Sequence, residues 1–264
     1  MIKWGILGLG RAANSFAEAI KEVDNAELVS IASLSKSRLR SFGKKYNINE
    51  IFRFNTYQQL INSEEVDAVY IATLNNTHAE LTIKLAQVNK NILCEKPMAL
   101  SENEAKQVFV ELAKSKVLFL EAIAYRAHPQ TKVLSELILE DEIGKIENVK
   151  SSFGFSARNL LKFIPKHRLF NKKLGGGAIH DIGCYPSSFS LLIARLLQKK
   201  DQELKFDLQD VTGKINFRGT DDEAHAEIIF KNQFKAELDI AITKKMENSI
   251  IISGSKGKIA IHDP

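Results

Sequence analysis

Cysteine is scarce in this chain of 264 residues, which contains only Cys94 and Cys184. Cys94 lies in an apolar stretch and Cys184 in a glycine-rich one, and neither has a second cysteine at the spacing of metal ligands. We therefore expect neither a disulfide framework nor a bound metal.

Long hydrophobic runs are also missing. No segment approaches the roughly 18 consecutive apolar residues that a membrane-spanning helix needs. The first ten residues contain a strand-like run, not a charged region followed by an apolar stretch and a cleavage site. We expect a cytoplasmic protein without a membrane partner.

Charge of one sign is not concentrated anywhere along the chain. The 37 Lys and Arg residues exceed the 32 Asp and Glu residues, for a formal net charge of +5, but the two signs are interspersed. There is no arginine stripe interleaved with aromatic residues, so we expect mild attraction to anionic small molecules and no nucleic-acid partner. Apolar residues at 44% and charged residues at 26% are typical of a globular protein, which excludes a disordered chain.

A glycine-rich turn is present at the start of the chain. An apolar run over residues 2–7 leads into this turn, and from Ala13 onward apolar residues recur with helical spacing. Strand, tight turn and helix in this order are typical of dinucleotide binding, with a phosphate against the N–H groups of the first helical turn. A purely structural turn is the alternative. The predicted cofactor contacts here are Gly8, Gly10, Arg11 and Ala12.

No carboxylate follows the second predicted strand, residues 27–33, where an NAD-selective site usually holds one for the ribose 2′-hydroxyl. The sequence has Ser33 there, followed by Lys36 and Arg38. Because no carboxylate repels a 2′-phosphate and either cation could pair with one, the pattern favours NADP, with NAD as the alternative cofactor. Both cations would otherwise be solvated on the next helix.

A polar turn follows the buried strand predicted over residues 66–72. This turn contains Thr73, Asn75 and His78. Since open α/β sheets bind ligands outside the carboxyl ends of their strands, we predict that these three side chains line the cofactor cleft. A cap on the following helix, from Asn76 or Thr77, is the alternative.

The next predicted strand, residues 91–94, leads into Glu95, Lys96 and Pro97. A lysine at the carboxyl end of a buried strand is placed where it could exchange a proton with a ligand. We predict that Glu95 contacts the cofactor and that Lys96 is both a cofactor contact and a catalytic residue. The alternative is a solvated turn between strand and helix.

The spacing of these elements predicts the fold class. Up to residue 122 strands alternate with helices, which indicates a doubly wound parallel α/β sheet. Beyond it, a helix predicted over residues 129–139 and a long strand are followed by an irregular stretch up to residue 174. From residue 211 onward, strand-like runs follow one another without intervening helices, which indicates an α+β domain with a largely antiparallel open sheet. The predicted strands of this part are residues 145–156, 211–217, 224–230, 234–242, 249–253 and 258–261. We therefore predict a dinucleotide-binding domain at 1–122 and a substrate-binding domain at 123–264.

A second motif joins three glycines, Gly175 to Gly177, to a helix that carries Asp181 and Tyr185. These two residues are four apart, so on a helix their side chains share one face. A carboxylate, a phenol and a distant lysine could handle a proton together, because the positive charge favours the phenolate and the carboxylate can orient a hydroxyl. Alternatively, Asp181 is a cap, Tyr185 a half-buried core residue and His180 a surface residue.

Together these motifs resemble the Gfo/Idh/MocA oxidoreductase family. The subgroup that the chain resembles most contains trans-1,2-dihydrobenzene-1,2-diol dehydrogenases and NADP-dependent D-xylose dehydrogenases. The resemblance covers essentially the whole chain. The residues that carry it are Gly8-Leu9-Gly10, Glu95-Lys96-Pro97, Gly176-Gly177-Ala178, Asp181-Ile182-Gly183 and Tyr185.

The resemblance implies a Rossmann domain, a C-terminal sheet domain, and reversible hydride transfer between NAD(P) and a secondary alcohol of a sugar, polyol or cyclic diol. It implies that Lys96 lies beside the nicotinamide and that the peptide bond between Lys96 and Pro97 is cis. It also implies that Asp181 and Tyr185 contact the substrate and share the acid–base role, with Tyr125 and Arg168 as further substrate-binding residues.

The chain departs from the family pattern in three places. Leu74 stands where a proline is usual, and Leu34 where an arginine often contacts the 2′-phosphate. Family members continue beyond the last glycine-rich turn, so we expect a C-terminal domain truncated at Pro264. The full domain supports oligomers, and a homodimer through the C-terminal sheet is one expectation. A catalytically inactive NAD(P)-binding sensor on the same fold is the alternative function.

Overall fold

The computed structural model describes residues 1–163, 167–198, 203–231, 234–262 and 264. The chain divides into two compact units, Met1–Ala122 and Ile123–Pro264. Each unit has its own hydrophobic core and its own six-stranded sheet.

The first unit alternates strands and helices along its length. Its elements are β1 (Ile2–Leu7), α1 (Arg11–Ala19), β2 (Ala26–Ala32), α2 (Lys36–Lys45), β3 (Arg53–Phe54), α3 (Tyr57–Ile61), β4 (Ala68–Ile71), α4 (His78–Gln87), β5 (Asn91–Cys94), α5 (Glu102–Leu112) and β6 (Phe119–Glu121). Short 3₁₀ turns lie between some of them, as at Asn75–Thr77. The apolar run of β4 is buried along its whole length, as expected of a central strand with helices on both faces.

The sheet of the first unit has the order β3-β2-β1-β4-β5-β6, and all its strand pairs are parallel. The chain order reverses between β1 and β4: β2 and β3 lie on one side of β1, and β4, β5 and β6 lie on the other. In this fold ligands bind outside the carboxyl ends of the strands at such a reversal. The predicted cofactor turns after β1 and β4 meet at this point.

The second unit contains mostly strands. Its elements are α6 (Pro129–Leu139), β7 (Ile146–Gly154), α7 (Arg158–Phe163), a π-helical turn (Ile179–Gly183), α8 (Cys184–Leu197), β8 (Phe206–Ile215), β9 (Asp221–Phe230), β10 (Lys235–Ala241), β11 (Ser249–Gly254) and β12 (Lys258–His262). Its core contains side chains from α6, α8 and five of the strands, such as Leu134, Phe189 and Val149.

The second sheet has the order β12-β11-β7-β10-β9-β8. Its pairs are antiparallel except for β7 with β10, which run parallel. The predicted fold class, a parallel doubly wound sheet followed by a largely antiparallel sheet, is confirmed.

Two local predictions differ from the structure. β8 begins at Phe206 and ends at Ile215 instead of covering 211–217, and its register shifts twice against β9, between Gln209 and Thr212 and between Lys214 and Ile215. Such irregularities break the alternation on which strand prediction depends. The segment after β7, predicted as irregular, contains the short helix α7. No helix in the described part of the chain is both long and apolar enough to cross a membrane.

Candidate active site

Gly8 ends β1 in a conformation that suits glycine. Its φ is +84°, and a Cβ at this position would lie 2.6 Å from the Ala72 carbonyl oxygen and 2.9 Å from Cα of Thr73. The missing side chain thus lets the turn after β1 pack directly on the turn after β4. Both predicted cofactor turns lie at the reversal point of the sheet.

Gly10 differs, because a Cβ there would have no heavy atom within 4 Å. Gly10 is the N-cap of α1, and no side chain caps this helix. The first turn of α1 also contains no acidic residue and begins with the exposed Arg11. Open space beside uncapped N–H groups at a positive helix end fits a pyrophosphate. Ala12 is half-buried in the same turn, and Ala13 is fully buried against the sheet.

Ser33, Lys36 and Arg38 surround the start of α2. Ser33 is buried and its Oγ accepts a hydrogen bond from the Ser35 N–H at 3.2 Å, while Ser35 caps the helix. Lys36 and Arg38 are exposed, as is Leu34, which is 70% accessible. The two cations are therefore available to an anionic group, and the buried serine stabilises the turn that carries them.

The turn after β4 contains Thr73, Asn75 and His78. The hydroxyls of Thr73 and Thr77 are hydrogen-bonded at 2.7 Å, and no side chain caps α4. Asn75 is 7% accessible and His78 only 1%. His78 Nδ1 is 2.8 Å from the Pro97 carbonyl oxygen, so the ring joins this turn to the segment after β5. Burial lowers the pKa of His78, which keeps the imidazole neutral.

Glu95 and Lys96 follow β5 at the same edge of the sheet. The backbone N–H of Glu95 donates to the Ile71 carbonyl at 2.9 Å, and its side chain accepts a hydrogen bond from the Tyr70 hydroxyl. Lys96 is half-buried and its bond to Pro97 is cis. Cys94, directly before this pair, is fully buried, and burial raises the pKa of its thiol to about 12. The thiol is therefore neutral and does not add a charge beside Lys96.

In the second unit, Asp181 lies in the π-helical turn that precedes α8. This turn begins where Asp221 of β9 accepts a hydrogen bond from the Ile179 N–H at 2.6 Å. Gly177 has a φ of +113°, and a Cβ on it would overlap the Asp221 carboxylate. The glycine therefore allows Asp221 to reach the start of the turn. The first N–H of the turn is thus bonded to a carboxylate from β9.

Arg168 and Asp181 form an ion pair. Both Nη1 and Nη2 of Arg168 approach Asp181 Oδ1, at 3.2 and 3.3 Å, and the Asp181 side chain is only 11% accessible. Gly176 packs against the backbone of this arginine and of the next residue, because a Cβ there would lie 2.5 Å from the Arg168 carbonyl oxygen and 2.6 Å from that of Leu169. Two of the predicted substrate-binding residues are thus brought together, and the arginine orients the carboxylate.

Tyr185 and Tyr125 line the same cavity of about 420 Å³. The cavity is lined by aromatic side chains and by the buried core residues Leu134, Ile250 and Ile261. Phe153 lies beside Tyr185, with ring centroids 6.2 Å apart, and Phe189 lies 5.7 Å from Tyr125. A volume of this size with mainly apolar walls is typical of small-molecule sites.

The Tyr125 hydroxyl has polar partners at one side of this cavity. It is 2.9 Å from Ser188 Oγ and accepts from Arg126 Nε at 3.2 Å. Arg126 also donates to the Ser188 carbonyl oxygen at 2.9 Å. Burial raises the pKa of Tyr125, so its phenol stays protonated.

Sequence reasoning missed several residues of these sites. Asp221 has no local signal, since it is 42 residues from Ile179. Ser188 and Phe189 lie on α8, three and four residues after Tyr185, and helical spacing would have placed them on the same face as Tyr185. Tyr70 was recognisable only as one apolar position of a buried strand, although its phenol needs a hydrogen-bond partner when buried.

A Rossmann sheet with an open glycine turn at its reversal point, followed by a mixed sheet domain, defines the class of NAD(P)-binding oxidoreductases. Two family models match the chain. One describes the oxidoreductase family with an NAD-binding Rossmann fold and matches residues 2–122, and the other describes the GFO/IDH/MocA C-terminal domain and matches residues 131–260. The chain belongs to the GFO/IDH/MocA family, as the sequence motifs predicted.

Curated relatives extend beyond the region that they share with this chain. Trans-1,2-dihydrobenzene-1,2-diol dehydrogenase of Danio rerio is 25% identical over 262 residues, which are 98% of this chain and 74% of that protein. The Homo sapiens protein of the same name is 26% identical over 266 residues, 100% of this chain and 75% of that protein.

Solved structures share the fold. A 3-ketoreductase from Actinomadura kijaniata, in complex with NADP and TDP-benzene, has a TM-score of 0.86 at 21% identity and covers 99% of this chain and 76% of that one. An aldose-aldose oxidoreductase from Caulobacter crescentus, complexed with glycerol, has a TM-score of 0.85 at 24% identity with the same coverage.

Proposed function

We propose that this protein is an NADP-preferring dehydrogenase that transfers hydride between the nicotinamide and a secondary alcohol on a ring, in a cyclic diol or a sugar. The observation that carries the proposal is the cavity of about 420 Å³ that Tyr185 lines. A titratable phenol at the wall of a mainly apolar cavity is suited to a substrate with a reactive hydroxyl on a compact carbon ring.

Three residues perform the proton chemistry in this proposal. Tyr185, as the phenolate, accepts the proton of the substrate hydroxyl, and the positive charge of Lys96 favours that phenolate. Asp181, held by Arg168, orients the substrate by accepting a hydrogen bond from a hydroxyl group. The nicotinamide, when bound, supplies the hydride acceptor.

The cofactor contacts are proposed for the first unit. The turn from Gly8 to Ala12 would hold the pyrophosphate, and Lys36 and Arg38 would pair with the 2′-phosphate of NADP. Thr73, Asn75, Glu95 and Lys96 would complete the cofactor site. The exposed positions of the two cations and the uncapped start of α1 support this assignment.

A substrate panel tests the proposed reaction. The purified protein is incubated with NADP or NAD and with trans-1,2-dihydrobenzene-1,2-diol, a cyclohexanediol, D-xylose or D-glucose, and reduction is followed by nicotinamide absorbance. We expect turnover with NADP and with at least one ring alcohol. Bound NADPH, seen by its fluorescence, without turnover of any alcohol would favour the catalytically inactive sensor.

Variants then test the assigned roles. Lys96→Ala and Tyr185→Phe should each lower kcat by a factor on the order of 10²–10⁴, the usual contribution of a general acid or base, while NADPH still binds. The control for Lys96→Ala is Lys106→Ala, which removes an exposed lysine paired with Glu102. The control for Tyr185→Phe is Tyr46→Phe, which removes a phenol hydroxyl in the first unit. Unchanged turnover in Lys96→Ala would remove this mechanism.

A further inference from the structure

The backbone on both sides of Lys96 is held by side chains from neighbouring elements. Tyr70, on β4, donates its hydroxyl to Oε1 of Glu95, the residue before the lysine. The tyrosine is 4% accessible and its ring stacks on Phe16 of α1, with centroids 4.4 Å apart. Burial raises the pKa of Tyr70, which favours the protonated phenol that donates to the carboxylate.

The second contact lies on the other side of the lysine. His78 Nδ1 is 2.8 Å from the carbonyl oxygen of Pro97. A carbonyl can only accept, so Nδ1 carries the hydrogen and the ring is held in one tautomer. His78 is 1% accessible. A ring buried to this extent acts on a ligand through the backbone that it holds.

A third side chain, that of Glu121, holds Met98, the residue after Pro97. Glu121, at the end of β6, accepts a hydrogen bond from the Met98 N–H at 2.8 Å through its Oε1. The Ala122 N–H donates to the Cys94 carbonyl at 2.7 Å, so the end of β6 also holds the end of β5. The segment from Glu95 to Met98 therefore has side-chain contacts from β4, from the start of α4 and from the end of β6.

We propose that Tyr70 and His78 are positioning residues that fix the backbone on either side of Lys96 and so hold its ammonium group in the productive place. This inference rests on the proposed catalytic role of Lys96 and adds residues that touch neither cofactor nor substrate. It also assigns to His78 a role different from the cofactor contact that its position in the sequence suggested. The placement of a catalytic group matters because a misplacement of about 1 Å can cost on the order of 10²-fold in rate.

The charge of Glu95 gives the contact with Tyr70 a second consequence. The negative charge of Glu95 opposes the positive charge of Lys96, so the position of the carboxylate determines how strongly Lys96 favours a nearby phenolate. The phenol of Tyr70 holds the carboxylate in place. Removal of the hydroxyl therefore changes both the position of the lysine and its electrostatic surroundings, and the pH dependence of turnover reports this change.

Tyr70→Phe keeps the ring stacked on Phe16 and removes only the hydroxyl. We expect kcat to fall about tenfold, as a displacement below 1 Å would produce. The pH midpoint of the kcat profile for alcohol oxidation should rise, because a displaced Lys96 favours the phenolate of Tyr185 less. NADPH should still bind, as measured by fluorescence, because the proposed pyrophosphate and 2′-phosphate contacts are left intact. Tyr46→Phe is the matched control, because it removes another phenol–glutamate hydrogen bond in the same unit, that of Tyr46 with Glu18.

Two substitutions of His78 separate the hydrogen bond from packing. His78→Asn retains a donor close to the Nδ1 position but leaves a cavity, whereas His78→Leu fills much of the space and has no donor. If the bond to Pro97 matters, the Asn variant keeps more of kcat than the Leu variant. The reverse order would show that the ring only fills space, and would overturn this part of the inference.

Amide hydrogen exchange over residues 93–100 provides a readout that is independent of activity. We expect faster exchange in this segment in Tyr70→Phe and in His78→Leu, and not in Tyr46→Phe. Unchanged exchange, or faster exchange with unchanged kcat and pH profile, would overturn the inference. If Lys96→Ala is inactive while the Tyr70 and His78 variants are normal, only this inference fails; if Lys96→Ala is fully active, the proposed function fails first.

Discussion

At the scale of single residues, Gly8 and Gly10 are only two positions apart but differ in what surrounds them. A methyl group on Gly8 would meet the backbone of Ala72 and would require a left-handed conformation of a non-glycine residue. A methyl group on Gly10 would enter open space. Gly8 is therefore required by the fold, whereas the fold leaves room for a side chain at Gly10, where we propose that the pyrophosphate binds.

This contrast predicts opposite outcomes for two alanine substitutions. Gly8→Ala should lower the free energy of unfolding by about 1–3 kcal/mol, the usual cost of a strained backbone conformation. Gly10→Ala should fold with unchanged stability and lose affinity for NADPH, because its methyl group occupies the proposed pyrophosphate space. Urea denaturation and fluorescence titration measure the two effects. Unchanged NADPH affinity in Gly10→Ala would contradict the proposed cradle.

Arg38 provides a test of cofactor preference at the same scale. Arg38→Ala should weaken binding of NADP about tenfold or more and leave binding of NAD unchanged, since a charge-assisted bond to phosphate contributes about 1.5–3 kcal/mol. Arg40→Ala is the matched control, an exposed arginine two positions further along α2. Equal effects on both cofactors would mean that Arg38 does not contact the 2′-phosphate.

How well single residues could be predicted depended on how local their role is. The positive φ of Gly8 follows from a motif of a few adjacent residues. The role of Asp221 could not be predicted, because its partner Ile179 lies 42 residues away and meets it only where the π-helical turn packs on β9. The carboxyl partner of Arg168 was likewise hidden, although both Arg168 and Asp181 had been selected separately as substrate-binding residues.

At the scale of elements, the turn that carries Asp181 depends on how closely Gly177 approaches β9. The Asp221 carboxylate reaches the first N–H of the turn because residue 177 has no side chain. Asp221 on β9 therefore sets the orientation of the residues in the π-helical turn. A change at Gly177 is therefore expected to act on the position of Asp181.

Gly177→Ala should lower the free energy of unfolding by about 1–3 kcal/mol, because alanine is strained at a φ of +113° and its methyl group overlaps Asp221. The matched control is Gly257→Ala in the same unit, where a Cβ would make an ordinary contact of 3.8 Å with Ile143. Urea denaturation of both variants measures the difference. Similar stabilities would contradict the close approach.

Elements with strong periodicity were predicted well, and those shaped by tertiary contacts were not. The helix predicted over residues 129–139 and the strand predicted at 91–94 match α6 and β5, because each has clear apolar spacing or turn signals. β8 was displaced because its shifted register interrupts the alternation and all its residues are exposed. The parallel pairing of β7 with β10 could not be predicted, because the residues of neither strand indicate which partner it pairs with.

At the scale of the whole molecule, the chain consists of two units with separate cores, and the proposed nucleotide contacts all lie in the first. A ligand that binds only the folded state stabilises it by RT ln(1 + [L]/Kd), about 2.7 kcal/mol at one hundred times Kd. Calorimetry with and without NADPH should therefore show a stabilised transition for the first unit. A thermogram unaffected by saturating NADPH would contradict cofactor binding.

The class of the molecule was predictable because its motifs are spread along the whole chain in a fixed order. The substrate was not, because the cavity of the second unit is assembled from α6, α8 and strands whose side chains have no common sequence signal. Association through the C-terminal sheet stays a prediction that the size of the protein in solution will test.

The position of β7 in its sheet has a consequence for synthesis on the ribosome. β7 lies between β10 and β11, and Asn148 bonds across to Glu237, 89 residues later. Every strand of the first sheet has been translated by residue 122. In contrast, both edges of β7 stay unpaired until β10 and β11 have been translated, which requires most of the remaining chain. Such non-local pairing is slow and exposed to aggregation, so chaperone dependence during translation should originate in the second half of the nascent chain.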